Sequence, residues 1–186
     1  MHSFFRIDEH LELRTWSQDD GPALLELILA NEAYLRQWLP WLDFRRTPDQ
    51  VRNYINQAQM ATIGKGDRYF GIWNAGKMVG EISHHDGDRI HRRAKLSYWL
   101  GEGFQGKGIV TRSCEALVQD LFLKQNLNRL ELRVAAGNLP SQRVAERLNF
   151  VQEGQLRQVE WLYDRFVDHL VYGRLSADFL DGEKRG

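Results

Sequence analysis

Cysteine is almost missing from this chain, and the one present, Cys114, can make no internal disulfide and supplies no thiolate set for zinc or an iron–sulfur cluster. A free thiol of this kind fits a reducing compartment. Prolines number only four, and no low-complexity stretch or internal repeat occurs, which sets the chain apart from disordered sequences. Nowhere do about 18 apolar residues follow one another. The opening MHSFFRIDEHLEL has no basic region leading into an apolar run and a small-residue cleavage site, so a cytoplasmic protein without a membrane partner is expected. An excess of one charge is lacking too: 25 Lys plus Arg stand against 25 Asp plus Glu. No global field therefore draws the protein to nucleic acid, and no direct nucleic-acid partner is expected.

What is there is an ordinary globular balance, 42% hydrophobic and 27% charged over 186 residues, which predicts one domain across residues 1–186 with a core large enough to fold unaided. Leu11 and Leu13 suggest a first strand, and Asp19–Asp20–Gly21–Pro22 turns it into a helix running to about Gln37. Thr47–Pro48–Asp49–Gln50 predicts a second helix start, with Thr47 capping and Gln50 reaching back, and an end near Gly64 or Gly66. Strands are expected at 68–73 and 78–84 around the Asn74–Ala75–Gly76 turn, and at 94–100. Val110, Cys114, Leu117, Val118 and Leu121 recur at helical spacing over 109–124, with Cys114 on the apolar face. Leu130, Leu132 and Val134 alternate as in a strand, a short helix follows Asn138 and Pro140, and two antiparallel strands at 150–159 and 167–174 close an α/β domain.

The most specific local signal is Gln105–Gly106–Lys107–Gly108–Ile109–Val110 between a strand and a helix. Glycines let the backbone turn tightly and approach a ligand, and the unpaired amides of the helix start can point at phosphate oxygens. A bland strand-to-helix turn is the competing explanation. Two nucleotide-binding patterns are missing: no GxGxxG follows the first strand, and no GxxxxGK precedes Ser or Thr. Lys107 is either an electrostatic helper or a solvated loop lysine.

This loop resembles the pyrophosphate motif of the GCN5-related N-acetyltransferase superfamily, Gln or Arg, two variable residues, Gly, one variable residue, then Gly or Ala, with Val110 in the last small position. Tyr98–Trp99–Leu100 before it, and the segment from Asn138–Leu139–Pro140–Ser141 to Asn149–Phe150, extend the resemblance. Asn149 stands where the family has glycine, and Asn is among the better substitutes at a positive backbone angle. Residues 31–41, 156–164 and 168–172 are similar to the bacterial ribosomal-protein N-terminal acetyltransferases, especially the branch acting on an N-terminal serine.

The resemblance implies a central mixed, mostly antiparallel sheet flanked by helices, with acetyl-coenzyme A as donor and no metal. It also implies an acceptor amine at the N-terminus of a ribosomal protein, and a homodimer. A small amine or another peptide is the alternative acceptor, and a non-catalytic acetyl-coenzyme A or protein-binding module the alternative class. The donor is expected on Gln105, Gly106, Lys107, Gly108, Ile109 and Val110, with its acetyl end near Trp99 and Leu100 in a gap between the strands at 94–100 and 130–136. Glu160 is the first choice for general base, Glu81 the second. Ser141 either protonates the departing sulfur or serves as a helix-cap hydroxyl, and Asn138 holds the cofactor arm or caps the helix. Trp38, Trp41 and Tyr163 are acceptor-side candidates that could equally be structural. His84, His85, Asp86 and Asp88 look like a metal cluster, but adjacent strand residues point to opposite faces. Arg89, His91, Arg92, Arg93 and Lys95 form a basic segment open to reading as a solvated hairpin.

Overall fold

A computed structural model of the chain describes residues 4–183; the first three and last three residues of the expected domain and the beginning of its opening stretch lie outside the described residues. Strands β1 (Phe4–Arg6) and β2 (Leu11–Thr15) lead into helices α1 (Gly21–Ala30), α2 (Glu32–Leu35) and α3 (Pro48–Lys65). Then come β3 (Arg68–Asn74), β4 (Lys77–Asp88), β5 (Arg93–Leu100), α4 (Ile109–Gln119), β6 (Arg129–Ala135), α5 (Leu139–Arg147), the long hairpin β7 (Val151–Leu162) and β8 (Arg165–Leu175), and α6 (Ser176–Glu183). All eight strands join one sheet in the order β1-β2-β3-β4-β5-β6-β8-β7. Only β5 and β6 run parallel, giving the mixed, mostly antiparallel sheet flanked by helices.

Local chemistry sets the helix ends. Thr47 Oγ1 accepts from the Gln50 amide at 3.3 Å while Gln50 Oε1 accepts from the Thr47 amide at 3.1 Å, a reciprocal cap that starts α3. Gly66, in the left-handed region at φ 79°, ends it. The first helix does not run to Gln37. It stops at Ala30 because the Asn31 side chain takes over the helix end: its Nδ2 donates to the Leu27 carbonyl at 2.8 Å and its Oδ1 accepts from the Glu102 amide at 2.9 Å. The long helical stretch after the glycine loop also changes character, with α4 ending at Gln119 and a π turn over Asp120–Lys124 completing it.

Strand alternation divides the core between the two sheet faces. One face, carrying Phe70, Ile82, Leu96, Leu130 and Leu132, packs under α4, α5 and Phe179 of α6. Helix α6 and β1 carry too few apolar positions to be legible in the sequence. On the other face, Trp16 and Trp99 pack with Leu24 of α1 and Tyr54 and Ile55 of α3. Residues 93–96 of β5 pair with 129–132 of β6. Past Leu96 the ladder stops, while each strand keeps its other neighbour, so the sheet opens into a wedge between β5 and β6.

Candidate functional site

Two cavities meet at this wedge. The first, about 590 Å³, lies between the end of β5, the glycine loop and the starts of α4 and α5. The second, about 460 Å³, lies on the sheet face beside Trp41, Glu81 and Glu160. Trp38, Leu39, Tyr98, Trp99, Asn138 and Ser141 line both, so these residues form the partition between them.

Gly106 and Gly108 take φ of 71° and 69°, and a Cβ at either would meet no atom within 4 Å. The glycines are therefore needed for the sign of φ and for free approach, not to relieve crowding. Gly108 caps α4 without a side chain. Among the described residues, the amides of residues 106–111 donate to no other residue, and the first backbone bond of the turn is Arg112 N to Gly108 O at 3.0 Å. A row of free N–H groups at a helix start attracts a phosphate. Gln105, Gly106, Gly108, Ile109 and Val110 line this first cavity together with Leu100; Arg143 and Arg147 add positive charge, while Arg112 is paired with Asp8. Val110 also packs on the core, so the larger residue at that position is absorbed by α4. Lys107 is turned away from the cavity: its Nζ donates to the Gly103 carbonyl at 3.0 Å.

At the partition, Asn138 Oδ1 accepts from the Ser141 amide at 3.2 Å and caps α5. Ser141 Oγ lies 2.8 Å from the Tyr98 hydroxyl, which also donates to the Ser141 carbonyl at 3.3 Å. Burial raises the Tyr98 phenol far above its ordinary value, so it stays protonated.

The second cavity is made of side chains. Glu81, opposite Trp99 across the β4–β5 ladder, is buried; Tyr54 Oη donates to it at 2.6 Å and Arg45 NH1 stands 3.9 Å away. Burial pushes the Glu81 carboxyl up, with Arg45 the first opposing influence. Arg45 is sandwiched between Trp41 at 3.8 Å and Tyr54 at 3.4 Å. Glu160 on β7 is 3.2 Å from His169 Nε2 on β8. His85 Nε2 is 2.7 Å from Ser97 Oγ on the same floor. Arg45 and Tyr54, which hold Glu81, and His169, which meets Glu160, are not legible as site residues, because each arrives from a loop, helix or strand distant in sequence, while Tyr98 is legible only as the neighbour of Trp99.

Tyr163 lines neither cavity; its hydroxyl donates to the Leu39 carbonyl at 2.7 Å and Arg36 stacks on its ring at 3.7 Å, tying the hairpin tip to the Trp38–Trp41 loop. His84 and His85 face opposite ways, as strand geometry requires: His84 is buried near Arg68 and Asp120, and its pKa falls to about 4, chiefly from burial. Among the described residues no group of three or more His, Cys, Asp and Glu could hold a metal ion. Two members of the basic segment are paired locally, Lys95 with Asp86 at 2.8 Å and Arg93 with Asp88 at 3.6 Å. Cys114 is fully buried, and that burial drives its thiol pKa up.

Comparison with known proteins accords with this geometry. The acetyltransferase (GNAT) domain model matches residues 10–151. YdaF of Bacillus subtilis (strain 168), provisionally named a ribosomal N-acetyltransferase, is 33% identical over 183 residues, covering 96% of this chain and 98% of its own length. The ribosomal-protein-serine acetyltransferase of Escherichia coli (strain K12) is 29% identical over 175 residues, 94% of this chain and 98% of its own. A solved structure of RimL, a ribosomal L7/L12 alpha-N-protein acetyltransferase in complex with coenzyme A, superposes with a TM-score of 0.89 at 29% identity, covering 93% of this chain and 98% of that one. A family model that spans both the glycine loop and the opened β5–β6 wedge, together with a relative alike over nearly the whole length, shows that this chain belongs to the acetyltransferase (GNAT) family.

Proposed function

We propose that the chain transfers the acetyl group of acetyl-coenzyme A to the N-terminal amine of a ribosomal protein, an N-terminal serine. The observation that carries the donor half is the row of unpartnered amides at residues 106–111 opening onto a cavity that reaches the wedge. The pyrophosphate rests on those amides, and the pantetheine arm enters between β5 and β6 as an added strand. The acetyl end then reaches Trp99 and Leu100, where backbone N–H can polarise the thioester oxygen as charge develops on it. Binding energy from the distant phosphates orients the reacting carbonyl without touching it.

The acceptor amine enters the second cavity, where Glu81 and Glu160 supply negative charge for an ammonium. Glu81 is committed to Tyr54 and Arg45, which leaves Glu160 as the carboxylate that assists proton removal from the amine. Ser141, held by Tyr98 at the partition, protonates the departing sulfur. Trp38 and Trp41 shape the acceptor entrance, and Tyr163 supports it from behind through Leu39. The protein-amine assignment draws on the similarity to YdaF and the ribosomal-protein-serine acetyltransferase over nearly their full lengths. The same reading takes the chain as one catalytic domain, a homodimer, acting in the cytoplasm; mass in solution tests the dimer.

A panel of amines and N-terminal peptides, read by intact mass, tests the proposal. Acetylation of a stalk-protein amino terminus is expected. Modification of small amines with no modification of that terminus would replace the acceptor, and no transfer to any amine despite coenzyme binding would make the chain a binding module.

A further inference from the structure

The terminal hairpin contains an irregularity that bears on the chemistry. Leu156 lies opposite His169 and Glu160 opposite Val167, so four steps along β7 match two along β8. The excess forms a bulge at 157–159, where Gln158 adopts a positive φ of 50°. Asp168 holds it: its carboxylate accepts from the Gln158 amide at 2.8 Å and from Gln155 Nε2 at 2.6 Å. Glu160 and His169 remain on the same face of the hairpin and meet at 3.2 Å, both lining the second cavity. Their side chains are only 28% and 14% exposed, so the contact is a partly desolvated pair and not a solvated surface one.

We propose that His169 is the proton acceptor for the amine, with Glu160 as the carboxylate that fixes its tautomer and steadies the imidazolium. This rests on the reading of the chain as an amine acetyltransferase. A carboxylate oxygen facing Nε2 requires the hydrogen on Nε2, so the lone pair of a neutral imidazole is on Nδ1. Among the described residues Nδ1 has no hydrogen-bond partner. Magnitudes favour this division of labour: moving a proton from an α-ammonium to a carboxylate is disfavoured about 3,000-fold by their ordinary pKa values, against about 20-fold to an imidazole.

The balance is simple. One ammonium proton passes to Nδ1, directly or through one water, and later leaves to solvent. The freed lone pair forms the N–C bond at the thioester carbonyl, the C–S bond breaks with its electrons going to sulfur, and the second nitrogen proton ends on that sulfur. The charged groups facing His169 are Glu160 from β7, Arg133 from β6, Asp168 beside it with Arg157 acting on that carboxylate, and Glu81, His85 and Lys95 across the cavity.

The test is kcat/KM for an N-terminal peptide as a function of pH in wild type, His169→Gln and Glu160→Gln, with melting temperatures as a check on folding. His169→Gln should lower the neutral-pH value by about 100-fold, abolish the fall at low pH attributable to protonation of the base, and leave KM for acetyl-coenzyme A unchanged. Glu160→Gln should keep that fall while losing less rate. Long-range proton–nitrogen spectra of the resting protein should show His169 protonated on Nε2, and this holds whether or not a substrate is known. A His169→Gln enzyme within about threefold of wild type with the same pH profile, or an Nδ1–H tautomer, overturns the proposal. Absence of transfer in wild type with the Nε2–H tautomer present instead overturns the acetyltransferase reading, which distinguishes the two failures.

Discussion

The two cavities are built from different materials. The proposed donor side depends on main chain: glycines at positive φ and a run of free amides at the head of α4. The proposed acceptor side depends on side chains from strands far apart in sequence, with Glu81 on β4, Trp99 on β5, Glu160 on β7 and His169 on β8. A main-chain site tolerates few residue types at its turning points, whereas a side-chain site can change its specificity while the backbone stays fixed. The acceptor wall also bears stability, because it includes a buried ion pair inside an aromatic cluster.

That contrast can be broken at several points. The largest effect is expected at Glu81→Leu, which leaves Arg45 buried without its counter-charge and should cost about 3–5 kcal/mol of stability. Thermal unfolding would register it as a large fall in Tm, with coenzyme affinity of the folded fraction unchanged.

Next is His84, on the opposite face of the same strand. Its pKa of about 4 in the folded state lies below the ordinary 6.5, so its contribution is fully present above pH 6.5 and is lost as pH falls through 4. About 3 kcal/mol should disappear over that window, and His84→Gln should flatten the profile of stability against pH between 6.5 and 4.

A smaller effect is expected on the donor side. Gly108→Ala puts a Cβ on a residue at φ 69° and should cost about 1–2 kcal/mol of stability, measurable as a fall in Tm with and without coenzyme. The acceptor KM should not move. Smallest is Tyr98→Phe, which removes the hydroxyl that bonds both Oγ and the carbonyl of Ser141 and should lower kcat by about 1 kcal/mol equivalent with both KM values preserved.

The same contrast explains what could be read from sequence. The glycine loop, the Thr47–Gln50 cap and the positive φ of Asn149, 55°, were legible because each is a local backbone demand met by few residue types. Cys114 on the apolar face of α4 followed from helical spacing, and the opposed histidines from strand alternation. The break at Asn31 was not legible, since it depends on a hydrogen bond to Glu102, 71 residues away. The pairing of Glu160 with His169 and of Glu81 with Tyr54 and Arg45 was hidden for the same reason. Registers, bulges and loop packing decide these contacts, and no periodicity in the chain records them.

The most direct test of the account is a crystal structure of the chain soaked or grown with acetyl-coenzyme A. Pyrophosphate oxygens are expected within hydrogen-bond distance of the amides at 106–111, with the arm between β5 and β6 and the acetyl carbonyl beside Trp99 facing the cavity of Glu160 and His169. A coenzyme bound elsewhere, with those amides left to solvent, would contradict it.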